Sequence, residues 1–147
     1  MVILVDQYNL PDNIYEIIFA TSQQIIVGKI LINCFKENNG ELSKTEMSLF
    51  ATKLHEGNLV TYIDEEPYKG KNVRISYNKR QFYDRILTPM RGMGLIDYDL
   101  YKKTYKLSEN FNKLVTKIGL MWMREVRKTD SHFKVKAVQI TENLDEI

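Results

Sequence analysis

The sequence predicts a mixed α+β domain, on three observations. Four segments place apolar residues at helical spacing behind polar capping residues. Two short runs, at residues 59–63 and 73–77, are rich in β-branched and aromatic side chains and are bounded by loop residues. A further extended pair, Leu95-Ile96-Asp97-Tyr98 and Tyr101-Lys102-Lys103-Thr104-Tyr105-Lys106-Leu107, surrounds a two-residue turn at Asp99-Leu100 and reads as a hairpin.

In chain order, Leu10-Pro11-Asp12-Asn13 interrupts any N-terminal element, and Asp12 is placed to cap a short helix through about residue 20. Thr21-Ser22-Gln23-Gln24 has the spacing of a capping box. Behind it, Ile26, Ile30 and Cys34 share a broad apolar face with Val27, Leu31 and Phe35, and Asn38-Asn39-Gly40 stops the helix. Ser43-Lys44-Thr45-Glu46 is a second capping box. Met47, Phe50, Ala51 and Leu54 follow at i, i+3, i+4 and i+7, and Gly57 ends that helix. The two β-type runs come next, separated by Asp64-Glu65-Glu66-Pro67 and Lys69-Gly70-Lys71-Asn72, which predicts a hairpin or a pair of short strands.

Asn78-Lys79-Arg80-Gln81 opens a third helix. Its spacing buries Phe82, Ile86 and Met90, leaves Tyr83 and Leu87 at the margin, and turns Gln81, Asp84, Thr88 and Arg91 outward between Arg80 and Arg85. Pro89 cannot donate to the Arg85 carbonyl, so the helix is expected to kink or end near Thr88. After the Tyr-rich hairpin, Ser108-Glu109 starts the last helix, with Phe111, Leu114, Val115, Ile118 and Trp122 as its core stripe. Met121 widens that stripe, while Leu120 and Met123 fall well off it. A helix apolar on more than one side is deeply buried or shared between subunits, so Leu120, Met121 and Met123 are expected to form a homodimer interface. Residues 133–140 read as a strand and residues 141–147 as a frayed tail. The expectation is a single domain over residues 1–147, with its core at about 22–127 and the strand and tail at 128–147.

The chain is 44% hydrophobic and 27% charged, ordinary for a globular protein. No apolar run approaches the roughly 20 residues that span a bilayer, and the start, Met1-Val2-Ile3-Leu4-Val5-Asp6, lacks a basic region and stops too soon for a signal peptide. The single cysteine, Cys34, excludes an intramolecular disulfide and is expected to be a buried, inert thiol. A reducing, cytoplasmic setting follows from these features.

The net charge of +2 conceals an asymmetry. Residues 1–68 carry 4 basic and 10 acidic side chains, residues 69–106 carry 10 basic and 3 acidic, and residues 107–147 carry 7 and 6. A basic middle between less basic flanks points to one positive face.

Catalytic patterns are absent. His55 and His132 lie far apart without a matching cysteine or carboxylate motif, and no nucleophile–base pair is evident. Gly92-Met93-Gly94 follows a helix rather than a strand and lacks the rest of a dinucleotide fingerprint. Asp64-Glu65-Glu66 reads as a solvated acidic turn. The expectation is therefore no enzyme activity, no metal and no cofactor.

The order helix, helix, helix, hairpin, helix resembles the winged helix-turn-helix superfamily. The residues that carry the resemblance are Arg85-Ile86-Leu87-Thr88-Pro89-Met90-Arg91-Gly92-Met93-Gly94-Leu95-Ile96, followed by Tyr105-Lys106-Leu107-Ser108. In that family a recognition helix leaves through a Gly-Leu-Ile-type exit, the wing returns on an aromatic or basic strand, and a Leu-Ser/Thr-Glu step caps the next helix. The match covers roughly residues 22–127, and the chain has the look of small regulators from archaea or their viruses and plasmids. It departs from the family in the 20 residues, 58–77, that stand where a short turn is usual.

The resemblance implies a winged helix with an extra β-hairpin insert and a C-terminal dimerisation helix. It implies sequence-specific binding of double-stranded DNA by a homodimer, most simply in transcription regulation. The helix from Lys79 to Thr88 would enter the major groove, where Arg80, Arg85 and Arg91 can pair with guanine and Gln81 with adenine. Lys79 and Thr88 belong to the same helix. Lys102 and Lys103 on the wing would meet phosphates or the minor groove, and Lys69, Lys71 and Arg74 would add backbone contacts. Lys44 and Thr45 would offer helix-terminal N–H groups to a phosphate. Two other roles are compatible with the same resemblance: a winged-helix protein–protein module, and a plasmid or viral DNA replication factor.

Overall fold

The computed structural model describes residues 6–63 and 71–129. The strand expected at 133–140, the acidic turn at 64–66, Lys69 and His132 lie outside them. The chain is a mixed α+β structure, and no helix among the described residues is long and apolar enough to cross a membrane. Two compact units divide at residue 114, Met1–Leu114 and Val115–Ile147.

The first unit begins with α1 (Ile14–Ile18), capped by Asn13 rather than Asp12. The Asn13 side chain accepts from the Tyr15 N–H at 2.8 Å. Helix α2 (Ser22–Glu37) follows, with Thr21 accepting from the Gln24 N–H. The Gln24 side chain accepts from the Ala20 N–H, one residue beyond the Thr21 N–H that the expected capping box would use. Asn39 and Gly40 both have positive φ and turn the chain into a short strand, β1 (Glu41–Ser43), which periodicity alone does not reveal. Helix α3 (Lys44–Glu56) has the complete Ser43–Glu46 capping box and ends at Gly57 in the left-handed region. A hairpin of β2 (Leu59–Ile63) and β3 (Lys71–Ile75) pairs antiparallel with Leu59 opposite Ile75, two residues upstream of the expected second strand.

Asn78 then caps a continuous helix made of α4 (Lys79–Phe82), a π-helical turn (Tyr83–Leu87) and α5 (Thr88–Gly92). Pro89 does not end it. The Thr88 N–H donates to the Tyr83 carbonyl five residues back, and this wider turn accommodates the missing donor. The extra residue in the turn also brings Leu87, expected at the margin, into the core beside Ile86. Strands β4 (Ile96–Asp99) and β5 (Thr104–Leu107) form the second hairpin. Its loop is the four residues 100–103, so Tyr101, Lys102 and Lys103 lie in the turn rather than on a strand. Strand β1 pairs with the far edge of β5, giving an antiparallel sheet in the order β1-β5-β4 with Leu42 opposite Tyr105.

The core joins Val27, Leu31 and Phe35 of α2 to Met47, Phe50 and Leu54 of α3, and both to Phe82, Ile86, Leu87 and Met90. Each of these side chains is worth about 1.5–3 kcal/mol on burial. Cys34 is half-buried, not fully enclosed, and burial first, then Glu37 and Glu46, pushes its thiol above the usual range. The full burial expected of Cys34 is therefore not seen, because this side of α2 is only partly covered.

Gly94 fixes the exit to β4. Its φ is +80°, and a Cβ there would lie 2.8 Å from the Phe111 nitrogen. The Phe111 N–H donates to the Gly94 carbonyl and the Ser108 N–H to the Leu95 carbonyl, so the hairpin is tied at its base to the start of α6 (Asn110–Arg127).

Beyond Phe111 every described residue of α6 is exposed, including Leu114, Val115, Ile118 and Trp122. The expected core stripe is therefore exposed among the described residues. Periodicity identifies a face that favours burial without identifying what covers it.

Candidate nucleic-acid interface

The continuous helix of residues 79–92 has one buried and one open side. Phe82, Ile86, Leu87 and Met90 face inward. Arg80, Gln81, Asp84, Arg85, Thr88 and Arg91 are exposed, as the spacing predicts. Asn78 holds the start of this helix by accepting from the Gln81 N–H at 3.1 Å. Arg80, 92% exposed at its side chain, lies 3.8 Å from Asp84 one turn on. An exposed pair at this spacing is worth about 0.3–0.5 kcal/mol and leaves the guanidinium free to exchange partners.

Three residues assigned to DNA contact have other engagements. Lys79 is half-buried: its Nζ donates to Thr52 Oγ1 at 3.1 Å, and its backbone N–H donates to His55 Nδ1 at 3.0 Å. Both bonds tie the helix start to α3, so Lys79 does not project outward with Arg80. Lys44 and Thr45 are exposed at the N-terminus of α3, but the Lys44 N–H donates to the Lys103 carbonyl at 2.9 Å. That N–H is not available to a phosphate. Arg91 is exposed, and its guanidinium lies 5.3 Å from the Tyr98 ring centre and 5.8 Å from that of Tyr105. The two rings pack at 4.5 Å. Arg91 thus stacks over the hairpin and links it to the helix. Burial raises the Tyr105 hydroxyl above its ordinary range, with Arg91 opposing.

The hairpin turn is built on Asp99. Its Oδ1 accepts from the N–H of Tyr101 at 2.9 Å and of Lys102 at 3.2 Å, and these bonds, Lys102's first, hold the carboxyl below its usual value. Thr104 Oγ1 donates to the Lys102 carbonyl, and Lys103 takes φ +51°. Lys102 and Lys103 are exposed on this turn, with Leu100 and Tyr101 beside them. The sequence places Leu100 in the turn, but it puts Tyr101 at the start of the second strand, so the two do not stand out as a pair.

Arg74 is exposed on β3 and Lys71 opens the same strand. Leu120, Met121 and Met123 are 43%, 56% and 45% exposed. At 100° per residue, Met121 borders the stripe containing Ile118 and Trp122, while Leu120 and Met123 lie on the other side of α6 together with Lys113, Lys117, Arg124 and Arg127.

No protein-family model, curated protein or solved structure matches the chain.

Proposed function

We propose that this chain is a winged-helix protein of the cytoplasm whose role is to bind double-stranded DNA, most simply as a transcription regulator, and not to catalyse a reaction. One observation carries the reading: the outward row Arg80, Gln81, Arg85 and Thr88 is joined through Arg91 to a hairpin whose turn exposes Lys102 and Lys103. A helix with bidentate donors next to a basic hairpin suits a major groove and its flanking phosphates. The order α2, α3, α4–α5, β4–β5, α6 agrees with that reading, with β2–β3 as the insert.

In this reading the recognition helix lies in the major groove, the hairpin of residues 96–107 lies on the backbone or minor groove, and Arg74 adds a phosphate contact. A second copy of the chain covers α6. The exposed stripe of Leu114, Val115, Ile118, Trp122 and Val126 is the larger surface for that pairing. Lys113, Lys117, Arg124 and Arg127 lie opposite it, so pairing through the stripe keeps these cations out of the seam, while Glu125 falls within it. Two recognition helices would then read two half-sites.

The test is a gel shift of random duplex DNA across a salt series. Retardation at about 50 mM salt that weakens steeply as salt rises is expected. No retardation at that salt would exclude DNA binding and leave a protein partner as the reading to pursue.

A further inference from the structure

The hairpin has three tyrosines, and they are used differently. Tyr98 and Tyr105 pack on each other beneath Arg91. Tyr101 is 99% exposed, beside Leu100 at 76%. A single exposed apolar residue is ordinary on a protein surface. Here a neighbouring pair stands at the apex of a turn whose backbone is held at four points. Asp99 binds two of its N–H groups, Thr104 binds the Lys102 carbonyl, and Lys44 of α3 binds the Lys103 carbonyl. The pair is thus an apolar tip on a fixed frame, followed by the cations Lys102 and Lys103 and preceded by Asp99, whose carboxylate is engaged by the turn's own N–H groups.

Size and charge select the occupant. A specific protein partner needs about 800 Å² on each side, far more than two side chains offer. A leucine and a tyrosine side by side suit an opened base step, and the two lysines that follow them suit the phosphates on one side of that step. We propose that the hairpin tip inserts Leu100 and Tyr101 into a base step of duplex DNA from the minor groove, unstacking it and kinking the helix axis, while Lys102 and Lys103 hold the adjacent phosphates. The proposal rests on the DNA-binding reading and adds a deformation to it. The preferred step is a flexible pyrimidine–purine step such as TA, where unstacking costs least.

The probe is a short end-labelled duplex with a single central TA step in an otherwise G·C sequence, titrated with the full chain at low salt. Anisotropy of the label reports binding, and permanganate reactivity of the central thymine reports unstacking. Wild-type protein should raise the reactivity about fivefold at saturation. Tyr101→Phe should retain the rise. The double variant Leu100→Ser, Tyr101→Ser should lose it while binding weakens less than about tenfold, because the phosphate contacts remain. Binding without any rise in the wild type, or a rise that survives in the double variant, overturns the insertion and leaves DNA binding intact. Absence of an anisotropy change removes the DNA-binding reading itself, and the insertion with it. Tighter binding to the isolated single strand than to the duplex also overturns the wedge, since the pair would then stack on bases already unpaired.

Discussion

The backbone N–H of Lys44 donates to the carbonyl of Lys103 across 2.9 Å, joining the first residue of helix α3 to the turn of the distant hairpin. The contact uses one of the unsatisfied N–H groups at a helix start and fixes the hairpin's apex against the body of the fold. Lys103 reaches it with φ +51°, a conformation that costs a non-glycine residue about 1 kcal/mol. Lys103→Gly should therefore raise the thermal midpoint by an amount equivalent to at most about 1 kcal/mol. If Lys103 also meets a phosphate, the same change should lower the salt slope of DNA binding by about one. A lower midpoint would show that the extra unfolded-state entropy of glycine outweighs the strain relieved at this turn.

Arg80→Ala with Arg85→Ala should abolish specific DNA binding and move stability by no more than about 0.5 kcal/mol, since both side chains are exposed. Competition binding and a thermal melt measure the two effects. Undiminished affinity in the double variant would remove this helix from the DNA interface.

His55 should affect stability without affecting DNA contact. Its Nδ1 accepts from the Lys79 N–H, one of the helix-start donors, so His55→Leu should cost about 1 kcal/mol in denaturant unfolding. Affinity for duplex DNA should change less than about threefold, because the exposed cations proposed to meet phosphates are untouched. A large loss of affinity at unchanged stability would place His55 at the interface instead.

Two charge insertions on α6 separate its faces. Ile118→Glu, on the exposed stripe, should convert a dimer to a monomer by light scattering. Leu120→Glu, among the basic residues, should leave the dimer whole. The opposite pattern would assign the interface to Leu120, Met121 and Met123. A wild-type monomer would rule out pairing through α6 altogether.

The Asp99 carboxyl is held below its ordinary value by the N–H of Lys102, then by that of Tyr101, with Lys102 and Lys106 adding charge. A depressed folded value means that the ionised form supports the turn. This support is complete above the ordinary aspartate range and is lost as pH falls through the folded value. The amide resonances of Tyr101 and Lys102 should stay fixed from neutral pH down to that range and move together below it. A midpoint at or above the ordinary value would contradict the hydrogen bonding of the turn.

Much of the fold was legible because capping residues and apolar spacing act locally. Ser43 with Glu46, Gly57, Asn78 and the outward row of the third helix all occur where the residue pattern places them. What was not legible depends on contacts far apart in sequence. Strand β1 is three residues long and exists because β5 offers it an edge. Lys79 turns inward because Thr52 and His55 lie beside it, and Arg91 stacks because two tyrosines converge beneath it. In the candidate site, spacing found the cations but could not separate those that bind the protein from those that face water. Leu100 and Tyr101 were not legible as a pair, because Tyr101, like Tyr98 and Tyr105, reads equally well as hairpin packing or as a base-stacking residue.

The π-helical turn between Tyr83 and Leu87 amounts to one inserted residue in the middle of a helix. Arg80 precedes it and Arg91 follows it, so the angular offset between the two guanidinium groups is set by a backbone irregularity, not by the choice of side chains. Deleting a single residue from that turn would restore a plain α-helix with Arg91 in nearly the same phase, whereas straightening the turn at unchanged length would rotate everything downstream by about 100° while leaving every cation in the sequence. Any recognition carried by this surface therefore depends on its phase as much as on its charge.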